Sequence, residues 1–317
     1  MSDILTVTMN PALDVSARTG HLHPTSKLRC DQVERHPGGG GINVARVLHR
    51  LGADCAALCL LGGPSGSMVA QLLADEGVSC IPVSIAGHTR ESFTVHERDS
   101  GQEYRFVLPG PDISPRELDA FVSVLSLQPS PRFMVASGSL PPGVPAHFYV
   151  QLAKTAMAQG AKLVVDGSGE ALGACLDHGV YMVKPSLREM RELTGYPLAT
   201  LQDVRAAALE WVKGNRAQVV AVSLGHQGAV LASAEAVWFA PPLPVTVVSA
   251  VGAGDSFVAG MVWALSQGAA LDSAFAYGVA AGSAALSSSG TGLCAPQDVH
   301  TGVQSVKLLP DFPELTL

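Results

Sequence analysis

Apolar positions along the chain change period from segment to segment, and the changes mark its elements. Residues 4–9, ILTVTM, form a continuous apolar run of strand length. Asn10-Pro11 ends it, because proline removes a backbone donor and restricts its predecessor. Residues 15–36 have no helical period and carry scattered β-formers, which predicts strands outside a main sheet. Val44, Val47, Leu48 and Leu51 then give a helical stripe. Strand 54–61, helix 65–76 and strand 79–85 follow. Residues 91–97 and 103–108 alternate around Asp99-Ser100-Gly101 and predict a hairpin. Helix 114–126, strand 132–137, helix 145–159, strand 161–166, strand 180–183, helix 186–194, helix 200–213 and strand 217–223 come next. Strands are expected near 228–232, 235–239 and 244–248. In Val251–Gln267, apolar Val258, Met261, Val262 and Leu265 predict an amphipathic helix with one buried face. Helix 271–287 and a last helix after Pro296 complete the pattern. Repeated strand–helix units of this kind predict an α/β protein with a mainly parallel sheet covered on both faces.

Composition narrows the class. At 317 residues the chain has room for two domains or for one α/β domain with an insertion. Hydrophobic content of 47% and charged content of 15% describe a packed globular protein. The formal net charge is −7 and no Lys/Arg run occurs, which argues against a nucleic-acid surface. The six cysteines form no CxxC pair, so they are expected to be reduced, mostly buried thiols of a cytoplasmic enzyme. MSDILTVTMN has no signal-peptide pattern, and no stretch approaches the ~20 apolar residues of a membrane span.

Two glycine-rich helix starts carry the candidate chemistry, Gly38–Asn43 and Gly252–Asp255. Helix N-termini hold unpaired N–H groups, and glycines let a ligand approach them, so each start is a potential anion or polyol site. Four successive glycines before a good helix are costly in conformational entropy, which makes a plain linker a weak explanation. Asn43 can donate to a ligand hydroxyl. Asp255 either complements the helix dipole or acts as a base beside a phosphate cradle. Asp14 stands just past the first strand, where open α/β sheets bind ligands, and a turn-forming role fits it equally well. There is no GxxxxGK[ST] loop, no HExxH and no GxSxG. A dinucleotide-binding oxidoreductase fits poorly, because position 257, where the third glycine would fall, is Phe. Two glycine sites suit two anionic or polyhydroxy ligands, and phosphoryl transfer from a nucleotide to a sugar uses both.

NPALD at 10–14, PGGGGINVAR at 37–46, SGSLPPG at 137–143, DGSGEAL at 166–172, VKPSLREM at 183–190, VSLGHQGA at 222–229, VGAGDSF at 251–257 and YGVAAGSAA at 277–285 resemble the ribokinase/PfkB family of carbohydrate kinases over nearly the full length. The glycine run, free of lysine, is most similar to that family's bacterial 6-phosphofructokinase branch. The resemblance implies a ribokinase-like three-layer αβα sandwich, one domain over 1–317, with a small β-sheet lid near 15–36 and 88–108. It implies ATP-dependent phosphorylation of the 1-hydroxyl of fructose 6-phosphate. Tagatose 6-phosphate and fructose 1-phosphate are rival acceptors, and a non-catalytic sugar-phosphate sensor is a further alternative. Asp255 would be the base, held anionic by its helix, and the amides of Gly252, Ala253 and Gly254 an anion hole. Asp14, Lys27, Gly38, Gly39, Asn43, Arg90, Arg105 and Ser139 would meet the sugar phosphate. Lys184, Ser186, Ser223, Gly225, Gly228, Ser249, Val251, Ala284 and Ser288 would meet ATP, and Glu189 would help hold Mg²⁺. The chain departs from the family at Ser186, usually asparagine, and at Ala250, often threonine, so tuned Mg²⁺ or nucleotide affinity is expected. Relatives in the family can be stimulated by monovalent cations such as K⁺, which the sequence does not decide here, and the resemblance implies a homodimer formed through the lid, with no nucleic-acid or membrane partner.

Overall fold

The computed structural model describes residues 2–288, 290 and 292–317. Strand β1 (Ile4–Thr8) is fully buried and ends before Pro11 as expected. The chain then enters two long strands, β2 (Ala12–Thr19) and β3 (Asp31–Gly38), ahead of helix α1 (Gly40–Arg50). Next come β4 (Cys55–Leu61), α2 (Gly63–Asp75), β5 (Ser79–Ser84) and the hairpin β6 (Arg90–Glu97) with β7 (Glu103–Val107). After them α3 (Pro115–Ser126), β8 (Phe133–Ser137), α4 (Phe148–Ala158), β9 (Lys162–Asp166), α5 (Gly169–Leu176) and β10 (Val180–Val183) alternate. The last part holds α6 (Leu187–Thr194), α7 (Leu201–Lys213), β11 (Ala217–Ser223), β12 (Ala229–Ser233), β13 (Val237–Ala240), α8 (Ala253–Ser266), α9 (Leu271–Ala285) and α10 (Pro296–Val303).

Among the described residues, nine strands form one sheet in the order β13-β12-β11-β10-β9-β8-β1-β4-β5. From β11 to β5 every pairing is parallel, while β12 and β13 add an antiparallel edge. Side chains alternate between its faces. Leu5, Val7, Met134 and Ala136 pack with Phe121, Leu152, Leu172 and Trp211 from α3, α4, α5 and α7. Ile4, Phe133 and Val135 pack with Val44, Leu73, Met261, Phe275 and Val299 from α1, α2, α8, α9 and α10. Helices therefore cover both faces, and the expected αβα layering is present.

A second sheet has the order β3-β2-β6-β7, with β2 and β6 parallel and the outer pairs antiparallel. Its register places Asp14 beside His36 and Ser92, and Thr94 beside Arg105. Phe93 pairs with Phe106 and Val95 with Tyr104, so these four share the opposite face.

Four local expectations change. Asp14 lies beyond the end of β1 as expected, but inside β2 rather than in a turn, because the chain pairs again directly after Pro11. Residues 244–248 form no strand, since Pro241, Pro242 and Pro244 remove ladder donors. Helix α5 was not anticipated, being only eight residues long and interrupted by Gly173. Helix α8 is buried on nearly all sides rather than on one, because α1 and α9 enclose it. Gly260 allows this: a Cβ there would lie 2.5 Å from the Tyr277 carbonyl oxygen and 2.8 Å from Ala281 Cβ of α9.

Candidate active site

Three carboxyl ends of parallel strands and two helix starts converge on Asp255. Gly252 takes a left-handed conformation (φ 73°) at the head of α8, and no side chain caps that helix. Asp255 sits in its first turn. Asn43, from the first turn of α1, donates from Nδ2 to Asp255 Oδ2 at 2.9 Å. Ser137, at the end of β8, donates from Oγ to Oδ1 at 3.1 Å. The two glycine-rich starts therefore meet at a single carboxylate. The glycine run allows α1 to start close against the carboxyl end of β1. A Cβ on Gly41 would meet Val7 O of β1 at 2.6 Å, and Gly39 has φ 109° with Thr8 Cγ2 at 2.9 Å from any Cβ.

The start of α8 is not the only influence on the Asp255 carboxyl. Burial pushes its carboxyl up from the ordinary range, and the bonds from Asn43 and Ser137 with the charges of Lys184 and Arg105 oppose this only in part.

On the small-sheet side, burial raises Asp14 to about 6 despite the nearby Arg90, Arg105 and Arg46. A Cβ on Gly38 would collide with the Asp14 carboxylate, so the glycine loop lies directly against it. Arg105 is exposed and lines one cleft with Asp14, His36, Ser92 and Val251. Arg90 instead directs its guanidinium at chain carbonyls, Asn10 O at 3.2 Å and Leu108 O at 3.3 Å. Ser139 Oγ accepts from Asn10 Nδ2 at 3.0 Å. Lys27 stands exposed in the connection between β2 and β3.

On the other side, Lys184 is buried at the end of β10 and pairs with Asp166 at 3.2 Å. A Cβ on Gly254 would lie 3.4 Å from Lys184 Nζ and 3.8 Å from Asp166 Oδ2, so the pair flanks the α8 start. Burial raises Asp166 to about 6 against the pull of Lys184. Burial also works against charge on Lys184, but Asp166, Glu189 and Asp255 outweigh it and keep the amine protonated. Asp166 was absent from the expected site residues. Its signal was the DGSGEAL motif directly after a strand.

Ser186 caps α6 through a reciprocal box. Its Oγ accepts from the Glu189 amide at 3.3 Å, and Glu189 Oε2 accepts from both the amide and the hydroxyl of Ser186 at 2.8 Å. Ser223 forms a bridge to Ser186. Gly225 (φ 62°) and Gly228 (φ 105°) shape the turn after β11. Ser249 Oγ accepts from the Val251 amide at 3.3 Å and donates to Glu103 of β7 at 3.4 Å, linking the small sheet to the α8 approach. Val248 and Ser249 amides donate to Leu286 O beyond α9, close to Ala284, and Ser288 Oγ donates to Leu293 O at 2.7 Å.

No group of three metal-ligating side chains occurs among the described residues. Glu189, Asp166 and Asp255 do share one electrostatic neighbourhood. Such a set suits Mg²⁺ carried in on substrate phosphates, which keeps several waters. A larger cleft, of about 750 Å³, opens at the opposite end of β9–β11 beside Lys162, His178 and Tyr181, and no expected site residue lines it. All six cysteines are free, four of them buried, and no described helix is long and apolar enough to cross a membrane.

A carboxylate between two glycine-rich helix starts, with a buried lysine at one of them, defines a phosphotransferase acting on small hydroxylated acceptors. The chain belongs to the pfkB family of carbohydrate kinases, whose model matches residues 7–298. It is 45% identical over 298 residues to the ATP-dependent 6-phosphofructokinase isozyme 2 of Mycobacterium tuberculosis, covering 94% of this chain and 88% of the relative. Phosphofructokinase-2 from Escherichia coli, solved in complex with fructose-6-phosphate, superposes with a TM-score of 0.90 at 40% identity, covering 96% and 99% of the two chains. Its complex with potassium gives 0.91 at the same identity and coverage.

Proposed function

We propose that this chain transfers the γ-phosphoryl group of ATP to the 1-hydroxyl of fructose 6-phosphate, giving fructose 1,6-bisphosphate and ADP. The observation that carries this reading is the convergence of Asn43, Ser137 and the α8 start on Asp255. Asp255 accepts the proton of the attacking hydroxyl. Its raised pKa makes it a stronger base than an ordinary carboxylate, and Asn43 and Ser137 fix the two oxygens in place. The amides of Gly252, Ala253 and Gly254 and the Lys184 ammonium meet the charge on the migrating group. Glu189 would help hold Mg²⁺, which would supply charge neutralisation on the nucleotide phosphates. Asp14 and Asn43 accept and donate to sugar hydroxyls beside Gly38 and Gly39. The 6-phosphate falls to Arg105, whose guanidinium is exposed on the Asp14 face, with Arg90 and Ser139 nearby.

Ser186, Ser223, Gly225, Gly228, Ser249, Val251, Ala284 and Ser288 line the nucleotide path in this reading. The small sheet is a lid on a single catalytic domain, and the Glu103–Ser249 contact lets it sense the nucleotide side. K⁺ is the expected monovalent activator, and the free cysteines suit a cytoplasmic setting.

The test is the initial rate of ADP formation with MgATP across fructose 6-phosphate, tagatose 6-phosphate, fructose 1-phosphate and fructose. Fructose 6-phosphate should be preferred, and Asp255→Asn should lower kcat by about 10²–10⁴-fold. Preference for another phosphosugar would move the acceptor and keep the mechanism. Ligand binding without ADP formation would overturn the enzyme in favour of a sensor.

A further inference from the structure

Glu76 lies outside the site just described, at the end of α2, yet two of the longest side chains of α1 reach it. Arg46 is fully buried and grips it with a fork: Nε lies 2.9 Å from Oε2 and Nη2 lies 2.6 Å from Oε1. Arg50, one helical turn further on, approaches Oε2 at 3.5 Å. Each guanidinium has a second grip. Arg46 Nη1 donates to Pro37 O at 3.1 Å, directly before the glycine run. Arg50 Nη1 donates to Gly292 O at 2.6 Å and to Cys294 O at 3.4 Å.

Those carbonyls belong to the two halves of the site. Pro37 precedes Gly38, which lies against the Asp14 carboxylate, and Gly39, which packs on Thr8. Between Gly292 and Cys294, Leu293 packs on the Gly252 Cα that heads α8, and its carbonyl accepts from Ser288 Oγ. One carboxylate therefore holds two arginines, one anchoring the acceptor loop and the other the loop under the anion hole.

We infer that Glu76 is a positioning residue that, through Arg46 and Arg50, sets the acceptor loop at Pro37–Asn43 and the nucleotide-side loop at Gly292–Cys294 in one fixed relation. The inference rests on the proposed kinase reading for what the loops bind, and on geometry alone for the tie between them. The chemistry suits the task. Arg46 is buried and charged, so its fork on Glu76 is strongly directional. Burial alone would raise Glu76, but the Arg46 bonds and the Arg50 charge hold it below its usual range, so it stays anionic across the working pH. An uncharged residue at position 76 would take away the one charge that both arginines share, leaving each with its remaining partners.

Hydrogen exchange on the ligand-free protein reads the tie without any substrate. In Glu76→Gln, amides at Gly38–Asn43 and at Gly292–Cys294 should exchange faster together. In Arg50→Gln, only the second group should. Kinetics gives the second readout. Glu76→Gln should raise KM for both the phosphosugar and MgATP, each by about tenfold, the effect of losing one charge-assisted hydrogen bond. Arg50→Gln should raise KM for MgATP alone. Glu76→Asp, which keeps the charge on a shorter arm, should recover part of both. A Glu76→Gln protein with a lower melting temperature but unchanged exchange at both loops would overturn the inference and leave a purely structural salt bridge. Equal loosening of both loops by Arg50→Gln would overturn it as well. Wild-type protein with no kinase activity would defeat the functional reading, while the exchange pattern would still decide the tie.

Discussion

At the scale of single residues, the site holds acids whose burial works against their charge. Asp14 and Asp166 both sit near 6, against an ordinary value of 3.8, because desolvation outweighs the cations beside them. For Asp14 this has two consequences of opposite sign. The folded protein binds that proton more tightly than the unfolded chain, so Asp14 costs stability as pH rises from about 4 to about 6, and the full cost persists above. Asp14→Asn removes the ionisation while keeping the shape. The variant should therefore melt above wild type near neutral pH and converge with it towards about pH 4. In the proposed reaction Asp14 serves the acceptor in its ionised form, where both oxygens accept from sugar hydroxyls, whereas protonation turns one oxygen into an O–H donor. The acid limb of kcat/KM for the phosphosugar should accordingly fall near pH 6 rather than near 4, since that limb reports the free enzyme. A limb near 4 would mean that solvent reaches Asp14 freely.

At the scale of elements, α6 shows how a local structural device can occupy a residue expected to serve chemistry. Glu189 closes the capping box with Ser186, and its position in the first turn also complements the helix dipole. Glutamine closes the same box, so Glu189→Gln should leave the melting temperature almost unchanged. If Glu189 also serves the Mg²⁺ shell, the same variant should raise the Mg²⁺ concentration needed for half-maximal rate. An unchanged Mg²⁺ dependence would reduce Glu189 to a cap. The elements themselves were largely legible, because β1, β4, β8 and β11 are buried runs and α1, α3 and α7 carry clear stripes. What was hidden depended on partners remote in sequence. The strand expected at 244–248 failed because prolines outweighed its β-branched residues. The all-round burial of α8 depends on α9, which no periodicity within α8 reveals. Among site residues, glycine motifs pointed to Asn43 and Asp255. The Asp166–Lys184 pair needs two strand ends to be adjacent, and its acid was not singled out.

At the scale of the whole molecule, the small sheet poses a question the large one does not. Helices cover both faces of the nine-stranded sheet, whereas the small sheet turns Asp14, Ser92, Thr94 and Arg105 towards the site and an apolar set the other way. On that outer face Phe93, Tyr104 and Phe106 are exposed, Phe106 by 54%, and Val33 of β3 is also exposed. Isolated exposed apolar residues are ordinary, but a contiguous aromatic patch on a sheet indicates an interface. A second copy of this chain is the partner proposed here, since two such faces can stack symmetrically and bury each other's aromatics. Stacking would also stiffen a sheet that meets the α8 approach through the Glu103–Ser249 bond. Phe106→Asp places a charge in the middle of the patch without touching the inward face. It should yield a monomer by light scattering and raise KM for the phosphosugar, because Arg105 and Asp14 lie on the same sheet. Rebuilding the patch with Phe106→Leu should restore both. A Phe106→Asp protein that remains dimeric would exclude this face as the interface, and a monomer with unchanged KM would show that the lid keeps its shape without a partner.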